Sequence, residues 1–560
     1  MFYWKKGLDF SRMGASITIM SILSDRLSEE ILQARQRVYT VGEPTPLQRL
    51  NLPGIKAPVY AKREDLGPIR AYKWRGAFNC MAALSQEARD KGIVAASAGN
   101  HAQGVALAAR VLNCHATIFM PRSTPEVKQT EVRRHGGRHV KIMLHGDCYD
   151  ETAAAAHEYT ETHGCTFVHP YDDLVTMAGQ GTLADEVVMS GEGPFDRAYV
   201  AIGGGGLAAG VSTLAKLLNP NVKVIGVEPT ASVACWLKKF WPHIKVIGVE
   251  GIDQASMKTS IEQGRRVNLD YVDVFCDGTA VHIPGELTYP LCRELVDEFV
   301  TVTNNEVCQA IRAMWESSRV VPEPSGAMSL AGFLKQWNRG EVKPEEKSFV
   351  VISGANMDFT HLTQIARQAG IGNHETRYLR ISMDSKRGQV LKYLRHIPQD
   401  TTLVDVQYGK TEGNTQHPVF GIAASDEDLD TIRTTLKKKG IEFEDISEDD
   451  DVRFRMIHYQ PELCQHPLFV HIEFPERAGA FLDFMERIAD LASLCYFNYT
   501  YTGERVGRAL VGMEFDTAED RETIRKRMSA FSKNIIRSIR EISPEAFQRI
   551  MGSRQLTGNH

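Results

Sequence analysis

Between about residues 27 and 365, short apolar runs alternate with longer alanine-rich segments of helical periodicity. Several of the runs end in glycine. This alternation predicts an α/β fold with a largely parallel sheet, in which ligands bind at the carboxyl ends of the strands. Strands are predicted at 92–97, 116–121, 198–205 and 349–354, and helices at 101–112, 150–163 and 207–218.

The size and composition of the chain limit its class. With 560 residues it is too long for one ordinary core, so two to four domains are expected. A net charge of −5 gives no support for a nucleic-acid or membrane-surface partner, and no apolar run is long enough to span a bilayer. The ten cysteines show no metal-ligand spacing, so we predict a reduced intracellular protein without a metal site.

The first 26 residues form a predicted N-terminal extension. Its apolar run at 17–23 is too short for a convincing secretory signal. We expect a disordered extension on a cytoplasmic protein, with an organellar transit segment as the alternative.

One hexapeptide occurs twice. KVIGVE stands at 223–228 and again at 245–250, and each copy follows a segment that contains a proline. A short tandem duplication is the favoured interpretation. It presents two candidate strands where one is expected, and the sequence does not indicate which copy enters the sheet.

The composition changes after residue 365. A polar stretch with two glycines at 366–376 is predicted to be a linker. Two similar units follow, at 377–458 and 459–560, and the pattern of each predicts the order βαββα. The C-terminal part is therefore expected to be a tandem α+β repeat.

A single lysine stands out in AYKWRGA (71–77). Most lysines are solvated surface charges, but a lysine in a partly desolvated pocket loses some preference for the charged form. Lys73 could then form a Schiff base with a carbonyl group. The heptapeptide alone is weak evidence, and three further stretches decide its interpretation.

The first of these stretches is GGGGL at 203–207. It follows a predicted strand and opens a predicted helix, where glycines let backbone N–H groups converge on a phosphate. A tight turn is the alternative. The run lacks the glycine spacing and the acidic residue of a dinucleotide site, so NAD is disfavoured.

The other two stretches are SAGNH (97–101) and SGAN (353–356). Ser97 and the N–H groups of its turn could hold a substrate carboxylate, and Asn100 could donate to a phenolic oxygen. Ser353 could hydrogen-bond a pyridine nitrogen without protonating it. A helix N-cap for the first and a strand-end turn for the second are the alternatives. The four stretches together supply what pyridoxal 5′-phosphate (PLP) needs.

These stretches, with EPSGA (323–327), resemble the fold-type II, PLP-dependent threonine dehydratases, or threonine ammonia-lyases. The resemblance covers most of 27–372, and the tandem repeat resembles the ACT-like regulatory domain of the long biosynthetic form. It implies a catalytic domain at 27–365, similar to the tryptophan synthase β-subunit with two open, twisted α/β subdomains. ACT-like repeats are implied at 377–458 and 459–560.

The resemblance also implies roles for individual residues. Lys73 is the Schiff-base lysine that removes the α-proton, Asn100 contacts the 3′ oxygen of PLP, and Ser353 is the partner of the pyridine nitrogen. Trp74 is bulky for its position and is expected to alter the wall of the cofactor site. The implied phosphate loop is Gly203, Gly204, Gly205, Gly206 and Leu207, and the implied substrate-binding residues are Ser97, Ala98, Gly99, Asn100 and His101.

The function implied is the conversion of L-threonine, with L-serine as a further candidate substrate, to 2-oxobutanoate and ammonia. This is the first committed step of isoleucine biosynthesis, with feedback by L-isoleucine and L-valine in a homotetramer. Two alternatives stay open. A serine or threonine racemase would need a second base, where this chain has Ala98. A non-catalytic amino-acid sensor would keep the fold without the chemistry.

Overall fold

The structure is a computed structural model, and it describes residues 26–27, 29–147, 149–204, 237, 241, 243–359, 361–372, 376–384, 402–407, 415–416, 419–423, 426–447, 466–475, 484, 487–488, 490–500, 506–531 and 535–543. The predicted helix at 207–218, the first KVIGVE copy and nearly all of the N-terminal extension lie outside these residues. The chain divides into two compact units, Met1–Met357 and Asp358–His560.

The first unit alternates strands and helices along its length. Its strands are β1 (Leu47–Leu50), β2 (Val59–Arg63), β3 (Ile93–Ala96), β4 (Ala116–Met120), β5 (Val140–Leu144), β6 (Thr166–Phe167), β7 (Arg197–Ala201), β8 (Lys245–Gly251), β9 (Glu298–Val302) and β10 (Ser348–Ile352). Its helices are α1 (Trp74–Ala83), α2 (Gln86–Asp90), α3 (Asn100–Val111), α4 (Glu126–Gly136), α5 (Tyr149–His163), α6 (Leu174–Met189), α7 (Ser256–Glu262), α8 (Thr288–Leu295), α9 (Asn304–Ser318) and α10 (Pro324–Asn338).

Two sheets organise this unit. The larger has the strand order β1-β2-β10-β7-β8-β9 and is parallel except for β1, and the smaller is parallel with the order β5-β4-β3-β6. Every residue of β3, β7 and β10 is buried, as expected for parallel strands that are covered on both faces. The predicted α/β class is confirmed. The loops after β3, β7 and β10 carry the SAGNH, glycine-rich and SGAN stretches.

The duplicated hexapeptide enters the larger sheet through its second copy. Residues 245–250 lie in β8, which pairs in parallel with β7 on one side and with β9 on the other. All of β8 except Lys245 is buried. The strand that the sequence left ambiguous is therefore the second copy.

Trp74 is buried in the core of the first unit. A Cβ atom on Gly42 would lie 2.3 Å from the indole Cη2, and one on Gly67 would lie 2.9 Å from Nε1. The ring thus packs against two glycine backbones, whereas its size led us to expect it at the wall of the cofactor site. Neighbouring residues in a helical turn point about 100° apart, so Trp74 and Lys73 point in different directions from this turn.

In its described residues, the second unit contains two four-stranded antiparallel sheets and one two-stranded antiparallel sheet. Its helices are α11 (His361–Gly372), α12 (Asp426–Lys438) and α13 (Ala518–Ser529). Its strands are β11 (Thr376–Ile381), β12 (Met383–Asp384), β13 (Thr402–Gln407), β14 (Thr415–Gln416), β15 (Val419–Ala423), β16 (Phe443–Asp445), β17 (Leu468–Pro475), β18 (Ser493–Thr500), β19 (Val506–Glu514) and β20 (Ser538–Glu541). Helix α11 includes 366–372, so most of the segment predicted to be a linker is helical.

The two four-stranded sheets share one topology, with the orders β13-β15-β11-β16 and β18-β19-β17-β20, and β12 pairs with β14 in the third sheet. Both four-stranded sheets are antiparallel throughout. Each of these two contains an edge strand, β16 or β20, that the predicted order βαββα omitted. These strands read FED and SIRE, and neither shows the apolar alternation that identifies a strand in a sequence. Among the helices of the described residues, none is long and apolar enough to cross a membrane.

Candidate active site

Lys73 lies directly before α1 with its side chain enclosed by the first unit. Its Nζ donates a hydrogen bond to the carbonyl oxygen of Pro170 at 3.1 Å and lies 5.4 Å from the centre of the Tyr72 ring. Burial disfavours the ammonium form and lowers the pKa of Lys73 from 10.5 to about 8. At pH 7 about a tenth of the amine is therefore uncharged, far more than for a solvated lysine, and an uncharged amine can attack a carbonyl group.

Gly203 and Gly204 follow β7, at the carboxyl end of the larger sheet. A Cβ atom on Gly203 would lie 2.8 Å from the Thr279 backbone, and one on Gly204 would lie 2.6 Å from the Tyr171 ring. Thr288 Oγ1 donates to the Gly204 carbonyl at 2.6 Å. Only glycine fits at these two positions, because Thr279 and Tyr171 pack directly against their backbone. Gly205, Gly206 and Leu207 lie outside the described residues.

The segment 170–172 connects the lysine with the glycines. The Pro170 carbonyl accepts from Lys73, and the next residue, Tyr171, packs its ring against Gly204. The Asp172 carboxylate accepts backbone N–H groups from 286–288 at 2.8–3.1 Å, at the start of α8. The motifs at 73 and 203 are thereby held at one place, although 130 positions separate them in the sequence.

The SAGNH stretch joins β3 to α3. Ser97 Oγ accepts a hydrogen bond from the Gly99 N–H at 3.2 Å, and Asn100 begins the helix. The Asn100 side chain does not cap the helix. Its Nδ2 donates to Glu323 Oε1 at 2.7 Å, and its Oδ1 accepts from Asn356 Nδ2 at 2.7 Å. The N-cap alternative therefore does not explain Asn100.

Two further residues of this stretch are buried. Ala98 is 6% exposed, and His101 is 2% exposed. Nε2 of His101 lies 2.9 Å from the Val168 carbonyl, so this nitrogen carries the proton of the neutral ring. Burial, together with the charge of Lys73, lowers the pKa of His101 to about 3. A neutral ring with one nitrogen bound to Val168 is a poor general acid at this position.

Ser353 is the first residue of the SGAN stretch. It follows β10, and its buried hydroxyl lies 3.4 Å from the Ser325 carbonyl. Its own carbonyl accepts the Tyr72 N–H at 3.0 Å, which places it beside the residue that precedes Lys73. The structure thus brings together the lysine, the described glycines, Asn100 and Ser353.

Two residues of the site had no role in the sequence reasoning. Glu323 is buried at the start of α10, and burial followed by the charge of Asp277 raises its pKa to about 8. Asn356 binds both Glu323 and Asn100. In the sequence, Glu323 is visible only as an acidic residue before a proline that starts a helix. Asn356 is visible only as an amide inside the SGAN stretch. Neither signal indicates a partner more than 200 residues away.

The residues present fit PLP. Lys73 supplies a partly buried amine of lowered pKa, Gly203 and Gly204 supply backbone without side chains at the carboxyl end of β7, and Ser353 supplies a buried hydroxyl with a long hydrogen bond to Ser325. These groups match the aldehyde, the phosphate and the pyridine nitrogen of the cofactor in chemistry.

The comparisons with known proteins agree with this chemistry. The chain matches the pyridoxal-phosphate dependent enzyme family over residues 38–236 and 230–354, and the C-terminal regulatory domain of threonine dehydratase over 464–538. The two parts of the first match overlap beside the duplicated hexapeptide. The chain is 35% identical over 502 residues to the biosynthetic L-threonine dehydratase of Burkholderia multivorans, covering 88% of this chain and 94% of that protein.

A fungal protein and a solved structure extend the similarity. The mitochondrial threonine dehydratase of Schizosaccharomyces pombe is 33% identical over 86% of this chain and 77% of its own length. The processed form of threonine deaminase isoform 2 from Solanum lycopersicum is similar in structure with a TM-score of 0.55 and 37% identity, covering 62% of this chain and 89% of that one. The chain therefore belongs to the biosynthetic threonine dehydratases, a family of PLP-dependent enzymes with a C-terminal regulatory domain.

Proposed function

We propose that this protein converts L-threonine to 2-oxobutanoate and ammonia with PLP as cofactor, the first committed step of isoleucine biosynthesis. The observation that carries this proposal is the partly buried Lys73 amine, of lowered pKa, which the segment 170–171 joins to Gly204 at the carboxyl end of the larger sheet. L-Serine is a second candidate substrate, because it presents the same amino acid backbone to the site as L-threonine does.

Lys73 is the proposed Schiff-base lysine and the base that removes the α-proton. PLP, when bound, withdraws electrons from the α-carbon and so acidifies this proton. A pKa of about 8 suits Lys73 to take up and release a proton near neutral pH. The Pro170 carbonyl, 3.1 Å from Nζ, can hold the lysine in its protonated form until the proton is passed on.

The other proposed roles follow from the elements that carry the residues. N–H groups at the start of α3, with the Ser97 hydroxyl, would hold the substrate carboxylate, because a helix N-terminus attracts negative charge. Asn100 would donate to the 3′ oxygen of PLP, and Ser353 would bind its pyridine nitrogen. Gly203 to Leu207 would cradle the phosphate.

The alternative functions are less well supported. A racemase of this fold needs a second base on the opposite face of the substrate, and Ala98 offers no proton to exchange. Solved serine racemases are similar in fold, and that of maize has a TM-score of 0.52 and 28% identity. A non-catalytic sensor would have no use for a buried lysine of lowered pKa.

We further propose that L-isoleucine and L-valine bind the second unit and lower activity, and that the protein is a homotetramer. The two sheets with one strand order support the regulatory assignment, because paired units of this kind can form a junction for a small ligand. For location we propose the cytoplasm, with an organelle as the alternative, and cell fractionation distinguishes these. A monomer in sedimentation analysis would contradict the tetramer.

The main test measures 2-oxo acid release from L-threonine by wild type, Lys73→Ala and Lys91→Ala, with and without L-isoleucine. Lys91 is an exposed lysine that pairs with Glu87, so its loss controls for removal of a lysine charge. We expect turnover by wild type and Lys91→Ala, none by Lys73→Ala, and suppression by isoleucine. Wild-type protein that binds PLP but releases no 2-oxo acid would contradict the threonine assignment. Turnover that ignores isoleucine would contradict the effector alone.

A further inference from the structure

Three residues that are far apart in the sequence form a hydrogen-bonded cluster in the first unit. Asn100 follows β3, Glu323 precedes α10, and Asn356 follows β10. We call these three residues the amide clamp. It joins the smaller sheet to the larger one within the first unit, and all of its hydrogen bonds lie between 2.7 and 3.0 Å.

Glu323 accepts hydrogen bonds on both carboxylate oxygens. Asn100 Nδ2 donates to Oε1 at 2.7 Å, and the Asn356 backbone N–H donates to Oε2 at 3.0 Å. A carboxylate is an acceptor on both oxygens, whereas an amide at this position would place one donor against a donor. A Cβ atom on Gly354 would lie 2.4 Å from Oε1, so the backbone of the SGAN loop also encloses the carboxylate.

The clamp determines which way the Asn100 amide points. Asn100 Oδ1 accepts from Asn356 Nδ2 at 2.7 Å, and the same Nδ2 donates to the Ile69 carbonyl at 2.7 Å. A flipped Asn100 would set its oxygen against the Glu323 carboxylate and its NH₂ against the NH₂ of Asn356. The side-chain NH₂ has two hydrogens, and Glu323 takes one of them. Glu323 and Asn356 therefore fix the direction of the second amide hydrogen of Asn100 before any cofactor binds.

We propose that Glu323 is a positioning residue, which holds Asn100 so that the remaining amide N–H of Asn100 is presented to the 3′ oxygen of PLP. This inference rests on the proposed role of Asn100 as the partner of that oxygen. Glu323 need not touch the reacting atoms. Its contribution is orientation, which a preorganised site obtains from the hydrogen bonds that lock its own side chains.

A purely structural brace would use the same hydrogen bonds, and a double-mutant cycle separates the two roles. If Glu323 acts through Asn100, the loss of Glu323 weakens PLP binding only while Asn100 is present. If Glu323 only braces the loops, its loss weakens PLP binding by the same factor with or without Asn100. The readout is PLP affinity, so threonine turnover is not involved.

The experiment measures PLP dissociation constants by reconstituting the full-length apoprotein, with the visible absorbance of bound PLP as the signal. The variants are wild type, Glu323→Gln, Asn100→Ala and the double variant. At a pH above 8, where the Glu323 carboxyl with its pKa of about 8 is ionised, we expect Glu323→Gln to weaken PLP binding about tenfold, the usual effect of one unmet hydrogen bond to a charged group. In the Asn100→Ala background the same change is expected to have less than about a twofold effect.

Glu250→Gln is the matched control. Glu250 is also buried with its pKa raised to about 8, chiefly by burial, and it accepts the N–H groups of Met257 and Lys258 at 3.0 and 2.9 Å. None of these contacts involves the amide clamp. We expect Glu250→Gln to lower thermal stability but to leave PLP affinity within about twofold of wild type.

The outcomes are decisive in each case. Equal weakening by Glu323→Gln in both backgrounds, unchanged PLP affinity, or an equal effect of Glu250→Gln would each overturn the inference. If Glu323→Gln does not fold, Glu323→Asp tests the same cycle, because it keeps an acceptor at a shorter reach. Wild-type protein that binds no PLP would contradict the proposed function instead of the role of Glu323.

Discussion

Arg75 and Glu64 form an ion pair in the interior of the first unit, with 2.8 Å between the guanidinium Nε and Oε2 and neither side chain exposed. Arg75 also pairs with Glu186 at 2.6 Å, and Lys62 pairs with the same glutamate at 2.5 Å. Burial alone would raise the pKa of Glu64, but the charges of Arg75 and Lys62 and two hydrogen bonds lower it to about 2. This balanced cluster fixes the first turn of α1, directly after Lys73.

Replacing Arg75 with methionine should therefore destabilise the first unit strongly. The change leaves two buried carboxylates with one lysine, and an uncompensated buried charge costs about 3–5 kcal/mol. The free energy of unfolding, from denaturant titration followed by tryptophan fluorescence, gives the measurement. Arg133→Met is the control, because Arg133 and its partner Glu126 are 51% and 72% exposed and the loss of this pair should cost at most about 1 kcal/mol. Equal losses of unfolding free energy in the two variants would show that the buried cluster contributes no more to stability than an exposed ion pair.

The lowered pKa of Lys73 predicts a pH dependence of cofactor capture. The amine is reactive only when it is uncharged, so trapping of PLP on Lys73 of the apoprotein by borohydride should rise with pH through a midpoint near 8. A short lysine peptide should show its midpoint near about 10.4. Mass spectrometry of the labelled peptide gives the extent. Coinciding midpoints for protein and peptide would contradict the burial of Lys73.

The same shift affects stability with a defined sign. The folded pKa of Lys73, about 8, lies below the unfolded value of 10.5. Between these pH values the unfolded chain binds the proton that the folded chain has released, so the contribution of Lys73 to stability improves as pH rises from about 8 to 10.5. Below pH 8 its full cost is present. Apoprotein of Lys73→Met should lack this slope.

The parts of the fold that local pattern determines were predictable. The runs that became β3, β4, β7 and β10 are mostly apolar, and each predicted position agrees with the structure within a few residues. The edge strands β16 and β20 were missed because their hydrogen bonds, to β11 and β17, come from partners distant in sequence. Their own residues carry almost no strand signal.

The residues of the site likewise divide into those that the sequence identified and those that it did not. Lys73, Asn100 and Ser353 lie in short motifs whose residue types already indicate chemistry, and the structure brings these motifs together. Glu323 could not be given a role, since its meaning depends on a contact with Asn100 across 223 positions. The buried cluster around Arg75 was equally hidden, because its members are scattered along four elements. These charges can be buried together only because the fold places opposite charges next to one another.

Trp74 and Gly42 should be coupled energetically. A methyl group on Gly42 would lie 2.3 Å from the indole, so Gly42→Ala should destabilise the first unit by about 1–3 kcal/mol through overpacking. Trp74→Leu makes room for this methyl group, so the double variant should be less destabilised than the sum of the single variants by a similar amount. Thermal and denaturant unfolding of the four proteins provide the cycle. Additive losses would show that the methyl group is accommodated elsewhere.

The duplicated hexapeptide allows the same substitution to be compared in two copies of identical sequence. Val246, in the second copy, is fully buried in β8, and its backbone N–H donates to Asp297 Oδ2 at 2.7 Å. Val246→Asp places an unpaired charge in the sheet and should cost about 4 kcal/mol or more, enough to abolish soluble expression or PLP binding. Val224→Asp makes the same change in the first copy and should leave PLP affinity and the melting temperature near wild type, because the second copy supplies the strand. The reverse result, with Val246→Asp tolerated and Val224→Asp damaging, would mean that the first copy pairs with β7. Damage by both would mean that each copy is needed for folding.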